Sequence, residues 1–134
     1  MGSDVPNNSG KEKTTLGRAF ACAFGGIAHA FREGRNFKIE CIFAVLAIVL
    51  GIAFSNSLPE WLAVIICIGL VLGAECANTA LEAVVDLASP EYHELARIAK
   101  DCAAGAVLIL SIAALIVGIV LYAPPILALV GITL

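Results

Sequence analysis

The chain is poor in charged residues, which sets it apart from ordinary soluble domains. Only 14% of its 134 residues are charged, whereas 60% are hydrophobic. Because a soluble domain is usually about a quarter charged, lipid is the expected solvent for most of this chain. No basic stripe with interleaved aromatic residues occurs in the sequence, so we expect no nucleic-acid partner.

Two further absences narrow the chemistry. The five cysteines form no CxxC pair, which argues against a metal site or a disulfide framework and favours a role as small apolar side chains. The sequence contains neither a P-loop (GxxxxGK followed by Ser or Thr) nor a protein-kinase signature. Phosphate transfer, if the chain performs it, must be built on another scaffold.

The N-terminal part divides into a tail and an amphipathic helix. Residues 1–13 are polar, carry no pattern of a cleavable signal peptide and are predicted to be a disordered tail. Within 14–34, apolar residues recur at steps of three and four: Leu16, Phe20, Phe24, Ile27 and Phe31. This period predicts a helix that lies in the membrane interface with its apolar side towards the lipid.

Three apolar segments follow, at about 37–54, 60–88 and 90–122. The first of them, as a helix, would span about 27 Å, close to the thickness of a hydrocarbon core. Ser-Pro-Glu at 89–91 is typical of an N-cap and first turn, and Pro124 and Pro125 are expected to end the third helix. Residues 123–134 would then form a short apolar tail. We therefore predict an all-α integral membrane protein, with an amphipathic surface helix before three transmembrane helices.

The basic residues are concentrated on one side of these spans. Six of the eight precede the first span or lie at its very start, and two follow the second: Lys11, Lys13, Arg18, Arg32, Arg35 and Lys38, then Arg97 and Lys100. Cytoplasmic loops of membrane proteins carry the excess of Lys and Arg. We therefore expect the N-terminus and the 88–101 segment to face the cytoplasm, and the C-terminus to face outward.

Polar residues share one face in the last part of the second span. Glu75, Asn78, Glu82 and Asp86 fall within about 80° of one another, at about 100° per helical residue. A carboxylate within a spanning segment is costly, and by default it indicates a functional site. The alternative is a polar seam that associates helices, although Asn and Thr would serve that purpose without charge.

This arrangement suits phosphoryl transfer, which needs a base beside the attacking hydroxyl, a metal on the phosphates and cations for the developing charge. With the orientation above, Glu75 is the deepest carboxylate, and Glu82 lies about 10 Å nearer the cytoplasm. A lipid hydroxyl would come from the membrane and a nucleotide from the water. This order favours Glu75 as base and Glu82 as Mg²⁺ ligand. His93, Arg97 and Lys100 would form a cationic face beside them, or only a cytoplasmic anchor for the third helix.

Three stretches closely resemble one family of small membrane enzymes: 75–86 (ECANTALEAVVD), 90–96 (PEYHELA) and 99–107 (AKDCAAGAV). From about Leu16 to Tyr122 the chain is similar to the bacterial diacylglycerol kinases, a family that includes the undecaprenol kinases of Gram-positive bacteria. RNFKI at 35–39 and LASPEYHELARIAKD at 87–101 look more like the undecaprenol branch.

The resemblance implies a lipid kinase domain over 14–122, forming a homotrimer in the bacterial inner membrane. Its active sites would lie between subunits at the cytoplasmic face and use ATP and Mg²⁺. It implies Glu75 as the base and Glu82 as a metal ligand. It further implies nucleotide contacts and supporting residues: Glu82, Glu91, Tyr92, His93, Lys100 and Asp101 for the nucleotide, with Asn78 and Asp86 in support.

One position departs from the family pattern. The family usually has a second metal-binding Glu immediately before the Arg-Asn pair, where this chain has Gly34 and carries Glu33 one residue earlier. A shift of one residue along a helix turns a side chain by about 100°. We predict that the backbone adjusts at Gly34 and that Glu33 is a metal ligand. The alternatives are weaker metal binding or a substitute ligand, Glu40.

The leading hypothesis is phosphorylation of a membrane lipid alcohol, with undecaprenol as the acceptor and undecaprenyl phosphate as the product. Diacylglycerol, giving phosphatidic acid, is the alternative acceptor. Two hypotheses belong to other classes. The first is a catalytically degenerate protein that binds lipid or partners, for which Gly34 is the only support. The second is a proton or cation conduit lined by Glu75 and Glu82, which would need no ATP.

Overall fold

The computed structural model describes residues 15–132 and builds them almost entirely from four helices. These are α1 (Leu16–Glu33), α2 (Arg35–Ala53), α3 (Leu58–Ala88) and α4 (Glu94–Leu129). The last three are long and apolar enough to cross a membrane. The predicted all-α membrane fold, with an N-terminal helix before three spans, is therefore confirmed. The tail predicted for 1–13 lies outside the described residues.

The apolar stripe of α1 is exposed, as expected for a helix that lies against lipid. Phe20 and Phe24 are exposed on α1, whereas Ala30, near its end, is buried where α1 meets α2 and α3. Gly34 ends α1 and begins α2, and its N–H donates to the Ala30 carbonyl at 2.8 Å. The extended backbone of Gly34 turns the chain from the surface helix into the first span.

A group of polar and aromatic contacts joins α2, α3 and α4 at the end of the molecule near the 54–57 loop. The Tyr122 hydroxyl donates to the Ala47 carbonyl at 3.0 Å and accepts from the Asn56 amide at 3.1 Å. Gly51 is buried against Trp61, whose ring would lie only 2.9 Å from an added Cβ. We call these five residues the loop-end cluster.

The same loop also fixes the start of α3. The Ser57 amide and hydroxyl both donate to the Glu60 carboxylate at 2.6 Å, within a capping box that satisfies the first backbone groups of the helix. Pro59 lies in the first turn, where its missing N–H costs nothing. Along its length α3 packs mainly against α4.

The structure corrects both predicted ends of the third span. The helix begins at Glu94 rather than at Pro90, and its N-cap is His93, whose Nδ1 accepts from the Leu95 N–H at 3.1 Å. The Ser89 hydroxyl donates instead to the Glu91 carbonyl at 3.0 Å. Because Pro90 disfavours helical backbone at Ser89, residues 89–93 form a short connector before α4 begins.

At the other end, α4 continues through Pro124 and Pro125 to Leu129. The predicted stop at these prolines is wrong. Each proline removes one backbone donor, but the pair lies close to the end of a 36-residue helix. Only a few backbone hydrogen bonds lie beyond the prolines, so little of the helix depends on the donors that are lost. Spanning helices tolerate proline because neighbouring groups satisfy the backbone atoms that it frees.

Candidate functional site

Burial changes steeply along the acidic face of α3. Glu75 and Asn78 are only 3% and 8% exposed, whereas Glu82 and Asp86 are exposed. The first carboxylate of this face is therefore shielded within a single chain, and the two that follow it towards the end of α3 are open.

Two acceptor atoms on the buried part of this face receive no hydrogen bond from the residues that the structure describes. The Asn78 amide donates to the Glu82 carboxylate at 3.4 Å, and the Thr79 hydroxyl donates to the Glu75 backbone carbonyl at 3.0 Å. The Glu75 Oε2 and Asn78 Oδ1 atoms are buried without a partner among the described residues. Because buried polar atoms are almost always paired, these two acceptors indicate a position for a donor or a cation from another molecule.

A second carboxylate, that of Glu40, lies on the neighbouring helix α2. It is within electrostatic range of Glu75, and the Ser111 hydroxyl on α4 interacts with it. The Glu40 Oε2 atom is also buried without a partner in the part of the chain that the structure describes. The sequence predicted Glu40 only as a substitute metal ligand, although a carboxylate early in a span was a signal for a wider role.

Ion pairs join the end of α3 to the start of α4. The Lys100 ammonium group pairs with the Asp86 carboxylate. The Arg97 guanidinium group pairs with Asp101 at 2.6 Å and with Glu94. These side chains are partly to largely exposed, so the ion pairs contribute little to the stability of the fold and mainly fix the positions of the charged groups.

The residues predicted to bind the nucleotide lie near the end of α3 and the start of α4, and they differ in exposure and in the contacts that they make. Tyr92 is exposed and donates its hydroxyl to Glu94 at 2.7 Å. His93 caps α4, and Asp101 is held by Arg97. Glu91 lies in the connector. The Lys100–Asp86 pair links this group to the acidic face of α3.

The predicted metal ligands, Glu82 and Glu33, lie on different helices, α3 and the end of α1. Within residues 15–132 no group of three or more His, Cys, Asp or Glu side chains is placed to hold a metal ion. Mg²⁺ needs only one or two carboxylates and takes its other ligands from phosphates and water. The exposed carboxylate of Glu82, with an amide beside it, fits that requirement.

The position of the family glutamate is sterically closed to a side chain. A Cβ at Gly34 would lie 2.6 Å from the Ala30 carbonyl oxygen and 3.2 Å from the Phe37 Cβ. The first distance is far too short for a real contact, so a Glu at this position requires the α1–α2 joint to move. The glycine therefore permits a backbone at the α1–α2 joint that a larger residue would not.

A groove lined mainly by small side chains borders the acidic face. It lies between α1 and α3 and is formed largely by alanine and glycine, with His29 and Thr79 as its polar members. Thr79 also donates to the Glu75 backbone carbonyl, and Cys76 lines the groove, so the groove borders the same turn of α3 that carries Glu75.

Comparison with known proteins identifies the family of this chain. The sequence profile of the prokaryotic diacylglycerol kinase family matches residues 21–122. A diacylglycerol kinase of Synechocystis sp. is 46% identical over 114 residues, covering 83% of this chain and 64% of the relative. The undecaprenol kinase of Bacillus subtilis is 35% identical over 107 residues, covering 80% and 87%.

A diacylglycerol kinase of Escherichia coli is 34% identical over 103 residues, covering 77% of this chain and 84% of the relative. The match thus covers 87% and 84% of the length of two of these relatives, and 64%, slightly less than two thirds, of the Synechocystis protein. The matched segment contains α2, α3 and the apolar part of α4 up to Tyr122. The chain belongs to the prokaryotic diacylglycerol kinase family and is a bacterial membrane protein of the lipid kinase class.

Proposed function

We propose that this protein transfers the terminal phosphate of ATP to the hydroxyl group of undecaprenol at the cytoplasmic face of the membrane. The observation that carries the proposal is the burial of Glu75 on a spanning helix whose next carboxylate on the same face, Glu82, is exposed. A lipid hydroxyl and a nucleotide can thereby approach the same helix from opposite environments.

In this reaction Glu75 removes the proton from the lipid hydroxyl. The hydroxyl oxygen forms a bond to the terminal phosphorus of ATP as the bond between that phosphorus and the bridging oxygen of ADP breaks. General-base assistance of this kind contributes about 10²- to 10⁴-fold to a rate. The buried position of Glu75, in the turn of α3 whose Cys76 and Thr79 line the α1–α3 groove, supports this role.

Glu82 and Glu33 are the proposed Mg²⁺ ligands, with the Asn78 amide orienting Glu82. A bound Mg²⁺ ion would neutralise charge on the phosphates of the nucleotide. Glu82 is supported by its exposure and by its position about one helical turn beyond Asn78, on the same face as the buried Glu75. For Glu33 the support is the family pattern and its position next to Gly34.

The nucleotide is proposed to bind where α3 ends and α4 begins. Its contacts would come from both helices and from the connector: Glu82, Glu91, Tyr92, His93, Lys100 and Asp101. Asp86 is proposed to position Lys100 for the phosphates through the ion pair between them. Tyr92 is exposed and can stack on a base or ribose.

The orientation and assembly are also part of the proposal. The distribution of Lys and Arg supports a cytoplasmic N-terminus and a cytoplasmic site. A homotrimer with sites between subunits is supported by the family resemblance. Chemical cross-linking in native membranes, followed by mass measurement, tests the assembly: trimers are expected, and monomers alone would contradict it.

Diacylglycerol is the second candidate acceptor. The 46% identity with a protein named diacylglycerol kinase favours it. Two observations favour undecaprenol. One relative is named undecaprenol kinase, and the sequence at 35–39 and 87–101 resembles the undecaprenol branch of the family. Both alcohols present a hydroxyl at the membrane interface, so only an assay separates them.

The deciding experiment measures phosphate transfer from labelled ATP with Mg²⁺ in detergent, with undecaprenol and diacylglycerol offered separately. Transfer to undecaprenol is expected, and the Glu75→Gln variant is the matched control without a base. Preferred transfer to diacylglycerol would replace the proposed acceptor. No transfer to either lipid, from folded protein, would support the degenerate hypothesis. Thermal stabilisation by Mg·ATP would argue against an ATP-independent conduit.

A further inference from the structure

Arg97 binds two carboxylates at the start of α4 with all three nitrogens of its guanidinium group. Nε and one terminal nitrogen donate to the two oxygens of Glu94, Nε at 3.2 Å, and the other terminal nitrogen donates to Asp101 at 2.6 Å. Glu94 lies three residues before Arg97 and Asp101 four residues after it, so the three side chains share one face of the helix. Arg97 thus bridges two successive turns of α4.

The same contacts extend to the connector before α4 through Tyr92. The Tyr92 hydroxyl donates at 2.7 Å to Glu94 Oε2, the oxygen that also accepts from Arg97 Nε. Tyr92 is 80% exposed, so packing does little to fix its ring, and the hydrogen bond to Glu94 orients it. We call the four residues Tyr92, Glu94, Arg97 and Asp101 the arginine network.

The two basic residues of this region have different partners. Lys100 pairs with Asp86 on α3, whereas Arg97 bonds within its own helix. Tyr92 and Asp101, at the two ends of the arginine network, are both proposed to contact the nucleotide, but the family resemblance gives Arg97 no role. A single exposed ion pair contributes little, but a bidentate arginine–carboxylate pair within a network can hold side chains in one geometry.

We propose that Arg97 is a positioning residue of the nucleotide site: it holds Asp101 directly, and Tyr92 through Glu94, in the arrangement that receives ATP. The inference rests on the proposed function, which places Tyr92 and Asp101 in contact with the nucleotide. Because both side chains are held before binding, less conformational entropy is lost when the nucleotide binds. A cytoplasmic anchor requires only a positive charge. Lysine keeps that charge but lacks the planar fork, so it separates the two roles.

The first test measures KM for ATP and kcat in Arg97→Lys and Arg97→Gln, with excess Mg²⁺ and saturating lipid. In both variants KM should rise about three- to tenfold while kcat stays within about twofold, because the groups that perform the transfer are unchanged. Arg32→Lys, at an exposed basic residue of α1 outside the network, is the matched control and should leave both constants unchanged. An unchanged KM in Arg97→Lys would assign Arg97 to anchoring and overturn the proposal.

Isothermal titration calorimetry with Mg·ADP tests the positioning role without turnover. Arg97→Lys and Glu94→Ala should each weaken binding about three- to tenfold. Both changes break the same link to Tyr92, so the double variant should bind less weakly than the product of the two single effects predicts. Effects that multiply in full would show that Arg97 acts independently of Glu94, and this result would overturn the proposal.

Failure of the proposed function and failure of the positioning role give different results. If the variants weaken the binding of Mg·ADP as expected but the unmodified chain phosphorylates neither lipid, the proposed function fails while the positioning role stands. If the unmodified chain phosphorylates a lipid but Arg97→Lys binds Mg·ADP as tightly as that chain does, the positioning role alone fails. If the folded, unmodified chain does not bind Mg·ADP, both are overturned.

Discussion

The ammonium group of Lys100 on α4 pairs with the carboxylate of Asp86 on α3, across the connector between the two helices. The side chains are 36% and 66% exposed, respectively. Exposed pairs contribute only about 0.2–1 kcal/mol to stability. The consequence of this contact is therefore geometric: it fixes a cation beside the open end of the acidic face.

Replacing Asp86 by Asn should weaken the use of ATP more than the stability of the fold. Without its partner, Lys100 is free to take other rotamers, and we expect KM for ATP to rise about three- to tenfold. The measurement is steady-state kinetics with varied Mg·ATP. In a Lys100→Met background the same change should have little further effect, and equal effects in both backgrounds would show that the pair does not act as a unit.

Replacing Glu75 by Gln should remove the base while leaving the nucleotide region intact. We expect kcat to fall about 10²- to 10⁴-fold. Thermal stabilisation by Mg·ATP should be retained, because Glu75 is buried away from the ion pairs at the start of α4. A variant that keeps its turnover would exclude Glu75 from the role of base.

Replacing Glu82 by Gln should raise the Mg²⁺ concentration needed for half-maximal activity at least about tenfold, since one of very few carboxylate ligands is lost. The same titration on Glu33→Gln tests the ligand displaced by Gly34. A shift in Glu82→Gln with none in Glu33→Gln would indicate that Glu33 does not bind the metal. An unchanged titration in both variants would contradict the proposed metal site.

Restoring the family glutamate as Gly34→Glu should not restore a better metal site. The added Cβ meets the Ala30 carbonyl oxygen at 2.6 Å, and relieving that overlap should cost about 1–3 kcal/mol of unfolding free energy. Gly34→Ala is the matched control, because it adds the Cβ without the carboxylate. The two variants should lose similar stability. Higher activity in Gly34→Glu at undiminished stability would show that the α1–α2 joint adapts.

Replacing Tyr122 by Phe should destabilise the fold without changing KM for ATP. The change removes the hydroxyl that bonds Ala47 and Asn56, and leaves a partly buried amide without a partner. We expect a loss of about 1–3 kcal/mol, measured by chemical denaturation in detergent. Tyr92→Phe removes an exposed hydroxyl and should change stability by less than about 0.5 kcal/mol.

Features that depend on a single helix could be predicted from the sequence. The length of the apolar segments indicated the three spans, and the turn per residue placed Glu75 and Glu82 on one face. The relation between Glu40 and Glu75 could not be predicted in this way. It depends on how α2 and α3 are rotated against each other, which is set by packing along their whole length.

The helix ends were the least predictable features, because local signals competed. Ser89 and Pro90 gave a typical start signal, but His93 provides the observed N-cap. Pro124 and Pro125 gave a stop signal that the membrane segment of α4 overrides. The steric closure at Gly34 likewise depends on the Ala30 carbonyl of the preceding turn, a contact that exists only once both helices are formed.

The loop-end cluster makes the two ends of the helix bundle mechanically unequal. Near Tyr122, hydrogen bonds and the Trp61 ring join α2, α3 and α4, whereas the polar contact between α3 and α4 near Lys100 is the exposed ion pair with Asp86. The distance between these points along α4 is about 33 Å. A tilt of about 5° with Tyr122 as the pivot would therefore move Lys100 by roughly 3 Å. Nucleotide binding and release are thus expected to need only a small change of angle, with no helix breaking and with the far end of the bundle at rest.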